Sequence, residues 1–215
     1  MRYEFKNIKQ IINTPIAKWS CFILTCLAIA ILTNFGPAEH SLGTHIRIVY
    51  LHGAWVWVSL AAFGLAGVFG ALGLIRQRDK FHRWSKAFGW TGLFFWISYL
   101  PLSLWAMQSN WNGLFLAEPR WKLALVFAVT GLLLQIGLNV VDKPNLTSAM
   151  NLGYLIALLV ALQQTEEVMH PASPILNSDA WRIQVFFFGL MLLICFAAWQ
   201  IARWIYKHES DRIQQ

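Results

Sequence analysis

Apolar residues run through this chain in long blocks, and charge is confined to short stretches between them. A helix needs about 20 apolar residues to cross the hydrocarbon of a bilayer. Six segments meet that length, near 17–35, 46–75, 85–107, 121–141, 147–168 and 181–206. The pattern predicts an all-α integral membrane protein, a single six-transmembrane-helix bundle over residues 1–215. The alternation of a membrane β-barrel is absent, and helices are then the spanning structure that satisfies the backbone without water.

Composition sharpens this picture. Hydrophobic residues are 57% of the chain and charged residues 13%, a balance that a soluble domain of this size cannot hide from water. The distribution of the 17 lysines and arginines sets orientation. Only Arg47, Arg120, Lys122 and Arg182 fall on one side, and the rest lie on the other. By the positive-inside rule both termini are expected to be cytoplasmic, in a multi-pass protein of the cytoplasmic (inner) membrane. The net charge of +7 follows from topology and calls for no nucleic-acid partner. The basic run Arg76 to Lys86 reads as a topology determinant.

The three cysteines, Cys21, Cys26 and Cys195, lie within apolar segments, where a thiol behaves as a small apolar group. No CxxC spacing occurs, so no covalently attached heme is expected. The first apolar segment, followed by TNFGPAEH, reads as an uncleaved helix, with Pro15 at its start.

The second segment, at 1.5 Å per residue, is about 45 Å long and exceeds the roughly 30 Å hydrocarbon layer. Its first turns therefore project or tilt at the outer end. His52, in IVYLHGAWVWV, falls there, one turn from Trp55 on the same face. Deeper in, Ala62, Ala66 and Gly70 recur every fourth residue, a small-residue stripe that lets another helix approach and places this helix inside the bundle.

Candidate chemistry is sparse. An imidazole at membrane depth is costly without a partner, so His52 is a candidate metal or cofactor ligand, and an interfacial histidine bonded to water is the plainer alternative. The third segment is rich in aromatics, and Pro101 is expected to kink it. After it, QSNWNGLFLAEPRW places Trp111, Leu114, Phe115 and Leu116 on the outer side, either as a cap on the bundle or as a platform for a planar ligand. Arg120, with Arg47 or Arg182, suits carboxylates of such a ligand. Gln135 and Asn139 are expected to bond between helices. The fifth segment ends in polar residues and His170, closed by Pro171; on the inner side His82 falls in the basic loop and His208 in the polar tail. No nucleotide-binding loop and no nucleophile–base pair is visible, so no enzyme activity is expected.

In this order the chain resembles the heme-handling membrane proteins of cytochrome c maturation, the CcmC type in particular. Tyr50, His52, Ala54 and Trp55 match that family's YIHVPAAW segment. Trp111, Pro119 and Arg120 match its WGTWWVWDPRL loop, with Glu118 for the aspartate, while Leu114, Phe115 and Ala117 stand where the family has tryptophans. His170, in TEEVMHPASPI, matches the second histidine. The resemblance implies non-covalent heme b held by His52 and His170 as axial iron ligands, with Trp55, Trp111 and Phe115 against the porphyrin and Arg120 on a carboxylate. It also implies heme transport at the outer face for cytochrome c assembly, with exporter subunits of the ABC type and a heme chaperone as partners. Two other classes remain open: a single-heme cytochrome b-type electron-transfer subunit, and a heme-free scaffold subunit of a membrane complex.

Overall fold

The computed structural model describes residues 15–166, 168, 175 and 179–213. The described residues form six helices: α1 (Pro15–Asn34), α2 (Ile46–Arg76), α3 (Asp79–Trp111), α4 (Pro119–Val141), α5 (Pro144–Gln164) and α6 (Trp181–Ile213). All six contain a window apolar and long enough to cross a membrane. The protein is an all-α six-helix membrane bundle, as the block pattern predicts.

Contacts between helix ends give an up-down order. The start of α1 meets the end of α6 through Trp19 and Trp204, and the starts of α3 and α5 meet through His82 and Ser148. At the opposite end, the start of α2 meets the start of α6 through Tyr50 and Phe186. One end thus gathers the 77–78 and 142–143 turns with most of the basic residues, and is called the basic end below. The other gathers the loops after α1 and α3 and the end of α5, and is called the histidine end.

Helix boundaries differ from the sequence expectation where charge was taken to mean loop. The basic run from Asp79 onward is already helical, and the α2–α3 connection is only Gln77 and Arg78. Gln77 closes α2 in the left-handed region, with φ 49 and its N–H donating to the Gly73 carbonyl. Lysine and arginine are good helix formers, so their presence at a helix end does not break it. His82 consequently lies inside a helix, not in a loop. At its other end α3 runs through Pro101 without interruption and includes Trp111 as its last residue, before Asn112 turns left-handed. α5 stops at Gln164 with an extended Thr165, short of the expected 168, and α6 continues to Ile213, past the expected 206.

α2 is the central helix, packing on α3, α5 and α6 and touching α1. The small-residue stripe explains how. Ala62, Ala66 and Gly70 are all buried. A Cβ on Gly67 would stand 2.5 Å from Leu155, one on Gly70 2.6 Å from the Ser148 carbonyl oxygen, and one on Gly73 2.7 Å from His82 Nδ1. Glycine at these positions lets α3 and α5 seat directly on the α2 backbone. α1, by contrast, is peripheral: only 11% of its spanning window is buried, and it rests on α6 and α2.

Candidate functional site

The histidine end is assembled around the start of α2. The loop before it is stitched by its own polar groups: the Glu39 carboxylate accepts from the Ser41 and Leu42 N–H groups at 2.8 and 2.9 Å, and Arg47 Nε donates to the Gly36 carbonyl at 3.0 Å. Tyr50 donates its hydroxyl to the Pro37 carbonyl at 3.1 Å. These bonds fix the rotation of the first turns of α2, and so the direction in which His52 leaves the helix.

His52 faces α3. Its ring lies 5.4 Å from that of Tyr99, tilted by 45°, and its Nδ1 is sealed from solvent. Tyr99 in turn packs edge-on against Trp96 at 5.2 Å, and the Trp96 indole N–H donates to the Ala124 carbonyl of α4. That bond draws the second turn of α4 against α3. The structure therefore sets His52 against Tyr99, an aromatic residue that residue type alone does not single out.

The other expected site residues are placed differently. Trp55 turns into the α2–α3 seam, its ring 4.9 Å from Phe95 and its indole N–H donating to Ser98 Oγ at 2.8 Å. Trp111 and Phe115 are exposed at the tip between α3 and α4, together with Leu114 and Leu116. Arg47 is committed to the loop carbonyl, and Arg182 stacks over Trp181 at 5.8 Å. His170 lies outside the described residues, so its position relative to His52 is not part of this geometry. Ile175, five residues later in the chain, is buried against the start of α2, within 3.8 Å of where a Gly53 Cβ would sit.

Three polar atoms at the roots of the 112–118 loop, Asn110 Oδ1, Glu118 Oε2 and Trp121 Nε1, are buried with no hydrogen-bond partner among the described residues. Such atoms each cost about 1–3 kcal/mol unless water or a ligand meets them. Arg120 and the Trp121 N–H sit in the first turn of α4, where the helix dipole also favours an anion. No group of three or more metal-ligating side chains occurs among the described residues. A heme needs only one or two protein ligands, because the porphyrin supplies the rest. The donor set at this end fits one: an imidazole, an exposed apolar surface, and a guanidinium with an N–H donor for carboxylates. Glu118, two residues before Arg120, is of the wrong sign for the carboxylates.

The basic end holds an arrangement of which sequence reasoning saw only one member. Gln135 Nε2 donates to Asn151 Oδ1 at 2.7 Å, and Asn151 Nδ2 donates to the Ser85 carbonyl and hydroxyl at 3.0 and 3.1 Å. Ser85 donates to the Ala66 carbonyl at 2.9 Å, and His82 Nδ1 bonds Ser148 Oγ at 2.7 Å. All five side chains are buried, and together they tie α2, α3, α4 and α5. Asn139, expected to join Gln135, is exposed instead. Toward the surface Lys86 pairs with Glu209 at 2.9 Å, and Arg212 pairs with Asp142. Beside them Trp84 stacks on Tyr206 at 4.2 Å and on Trp199 at 5.3 Å. The signal available in sequence was spacing: His82, Ser85 and Gly89 share one face of α3, and Ser148 and Asn151 share one face of α5.

No family model, curated protein or solved structure matches this chain.

Proposed function

We propose that the protein is a heme-binding subunit of the cytoplasmic membrane that presents heme at the histidine end for cytochrome c maturation. The observation that carries this reading is the His52 imidazole at the mouth of the bundle, 5.4 Å from Tyr99, with its Nδ1 shielded from solvent. In the proposed complex His52 and His170 would hold the iron, Arg120 and the Trp121 N–H would receive the carboxylates, and Trp111 and Phe115 would cover the apolar face. Trp55 holds α2 to α3 behind the imidazole, acting on the site through the helix. Bound heme supplies a porphyrin iron; the chain itself binds, orients and shields it. The positive-inside charge distribution supports an outer location for this end, and exporter subunits of the ABC type and a heme chaperone are the partners this role calls for.

A second reading, a heme-free scaffold subunit, is favoured by one observation: the Trp55 ring and indole N–H are already satisfied by Phe95 and Ser98. The experiment that separates the two is the absorption spectrum of the detergent-purified protein before and after addition of hemin. A Soret band that is lost in both His52→Ala and His170→Ala supports heme binding. A protein that stays heme-free at excess hemin is the scaffold. Reduction of the bound heme by quinol would instead assign electron transfer.

A further inference from the structure

The buried layer at the basic end has a direction. The Ser85 hydroxyl donates to the Ala66 carbonyl, so toward Asn151 the Ser85 hydroxyl and carbonyl are both acceptors, and both hydrogens of Asn151 Nδ2 go to them at 3.0 and 3.1 Å. Asn151 Oδ1 then faces Gln135, whose Nε2 donates to it at 2.7 Å. Reversing either amide would set oxygen against oxygen. The chain of bonds therefore ends on Gln135 Oε1, an acceptor sealed from solvent and without a hydrogen-bond partner among the described residues, in a side chain only 4% exposed.

Tyr154 stands beside this end. Gly131, one turn before Gln135 on α4, faces the Tyr154 hydroxyl of α5, and a Cβ there would stand 2.7 Å from that oxygen. Helix side chains lean toward the N-terminus, which carries the Gln135 amide toward the Gly131 level. The Tyr154 hydroxyl donates to the Phe127 carbonyl at 2.7 Å. Its proton is therefore committed elsewhere, and toward Gln135 it offers lone pairs.

We propose that a single internal water molecule bridges α4 and α5, donating one hydrogen to Gln135 Oε1 and the other to Tyr154 Oη. Two acceptors call for a molecule with two donors, and the sealing of Gln135 Oε1 limits its size to that of water. The layer itself, made of His82, Ser85, Gln135, Ser148 and Asn151, contains no carboxylate to retain a cation. A polar site with at least two partners is what keeps a buried water in place. Within a membrane span no bulk solvent can satisfy the amide in its stead. The water gives the α4–α5 seam a polar tie beyond the Gln135–Asn151 bond, and carries the polar seam that begins at His82 as far as Tyr154. This site is independent of the histidine end and of any heme reading.

The test uses the full-length protein in lipid bilayers and follows magnetisation transfer from water protons to side-chain N–H groups by proton-detected solid-state NMR. Transfer to the Gln135 side-chain amide, identified by its absence in Gln135→Met, is expected. None is expected at the Trp96 indole N–H, which is also buried and is bonded to the Ala124 carbonyl. Tyr154→Phe keeps the ring and removes the hydroxyl, and is expected to lose the transfer at Gln135. Replacing sodium and potassium in the buffer by choline is expected to leave the wild-type signal unchanged. Should Tyr154→Phe fail to fold, the wild type decides alone: no transfer at Gln135, or equal transfer at Trp96, overturns the proposal. So does a transfer undiminished in Tyr154→Phe, or one that responds to choline, which assigns a bound cation.

Discussion

At the basic end His82 is held on two sides, by Ser148 at 2.7 Å and by the α2 backbone at Gly73, within a layer where Asn151 joins Ser85 to Gln135. At the histidine end His52 meets the Tyr99 ring at a tilt, and Trp111, Leu114, Phe115 and Leu116 at the same end stand exposed. The two histidines have the same chemistry and different surroundings. One is a structural bolt held by a hydrogen bond and by close backbone; the other lies against an aromatic ring near the mouth of the bundle. A histidine in a membrane span is therefore read by what packs against it, and not by its depth.

Substitutions that break the basic end are expected to have the largest effect. Gly70→Val places a side chain 2.6 Å from the Ser148 carbonyl, where backbone must move, and overpacking of this kind costs about 1–3 kcal/mol or more. A lowered thermal midpoint with loss of α2–α5 crosslinking measures it. Asn151→Leu strands the Gln135 amide in a buried layer and removes a donor from Ser85; unsatisfied groups there cost about 1–3 kcal/mol, so a fall of about 2 kcal/mol in reversible unfolding is expected. A change below about 0.3 kcal/mol would show that the network contributes little.

Next comes the contrast between the histidines. His52→Ala is expected to abolish any Soret band while shifting stability by less than about 1 kcal/mol. His82→Ala is expected to leave the spectrum intact and lower stability by about 1–2 kcal/mol. The reverse pattern would exchange their roles. Trp55→Phe removes only the indole bond to Ser98, and a cost of about 0.5–1.5 kcal/mol is expected, with heme affinity changed less than by His52→Ala.

The smallest effect is expected in the loop that aims α2. The Leu42 backbone N–H, with that of Ser41, holds the Glu39 carboxyl below its ordinary value of 4.5. The folded form is thus the stronger acid. Its contribution to stability is present above the ordinary carboxylate range and is lost as pH falls through the depressed folded value. Glu39→Gln should flatten the acid side of the thermal-midpoint profile by a small amount. A wild-type profile identical to that of the variant below pH 4.5 would refute this.

The positions of the six spans were legible because a bilayer imposes a length, and apolar length is a local property. The centrality of α2 was legible too, since Ala62, Ala66 and Gly70 recur at helical spacing. Helix ends were not. Arg76 to Lys86 looked like a loop because charge was read as a break, whereas the chain turns in two residues and resumes the helix at Asp79. At the candidate site, His52 and Arg120 could be singled out by residue type, but Tyr99, against which His52 packs, was one of many aromatics in its segment.

The sequence by itself determined the class of solvent, the number of crossings and the helix that others press against, because hydrophobic length and small-residue period act within one segment. Tertiary structure decided which polar groups meet. Gln135 and Asn139 lie one turn apart on α4, yet only Gln135 is buried against Asn151. Trp55 and His52 share the α2 face toward α3, yet one donates into the seam to Ser98 and the other lies against Tyr99. Those outcomes depend on how far neighbouring helices stand apart and how each is rotated. Both are set by packing between segments distant along the chain.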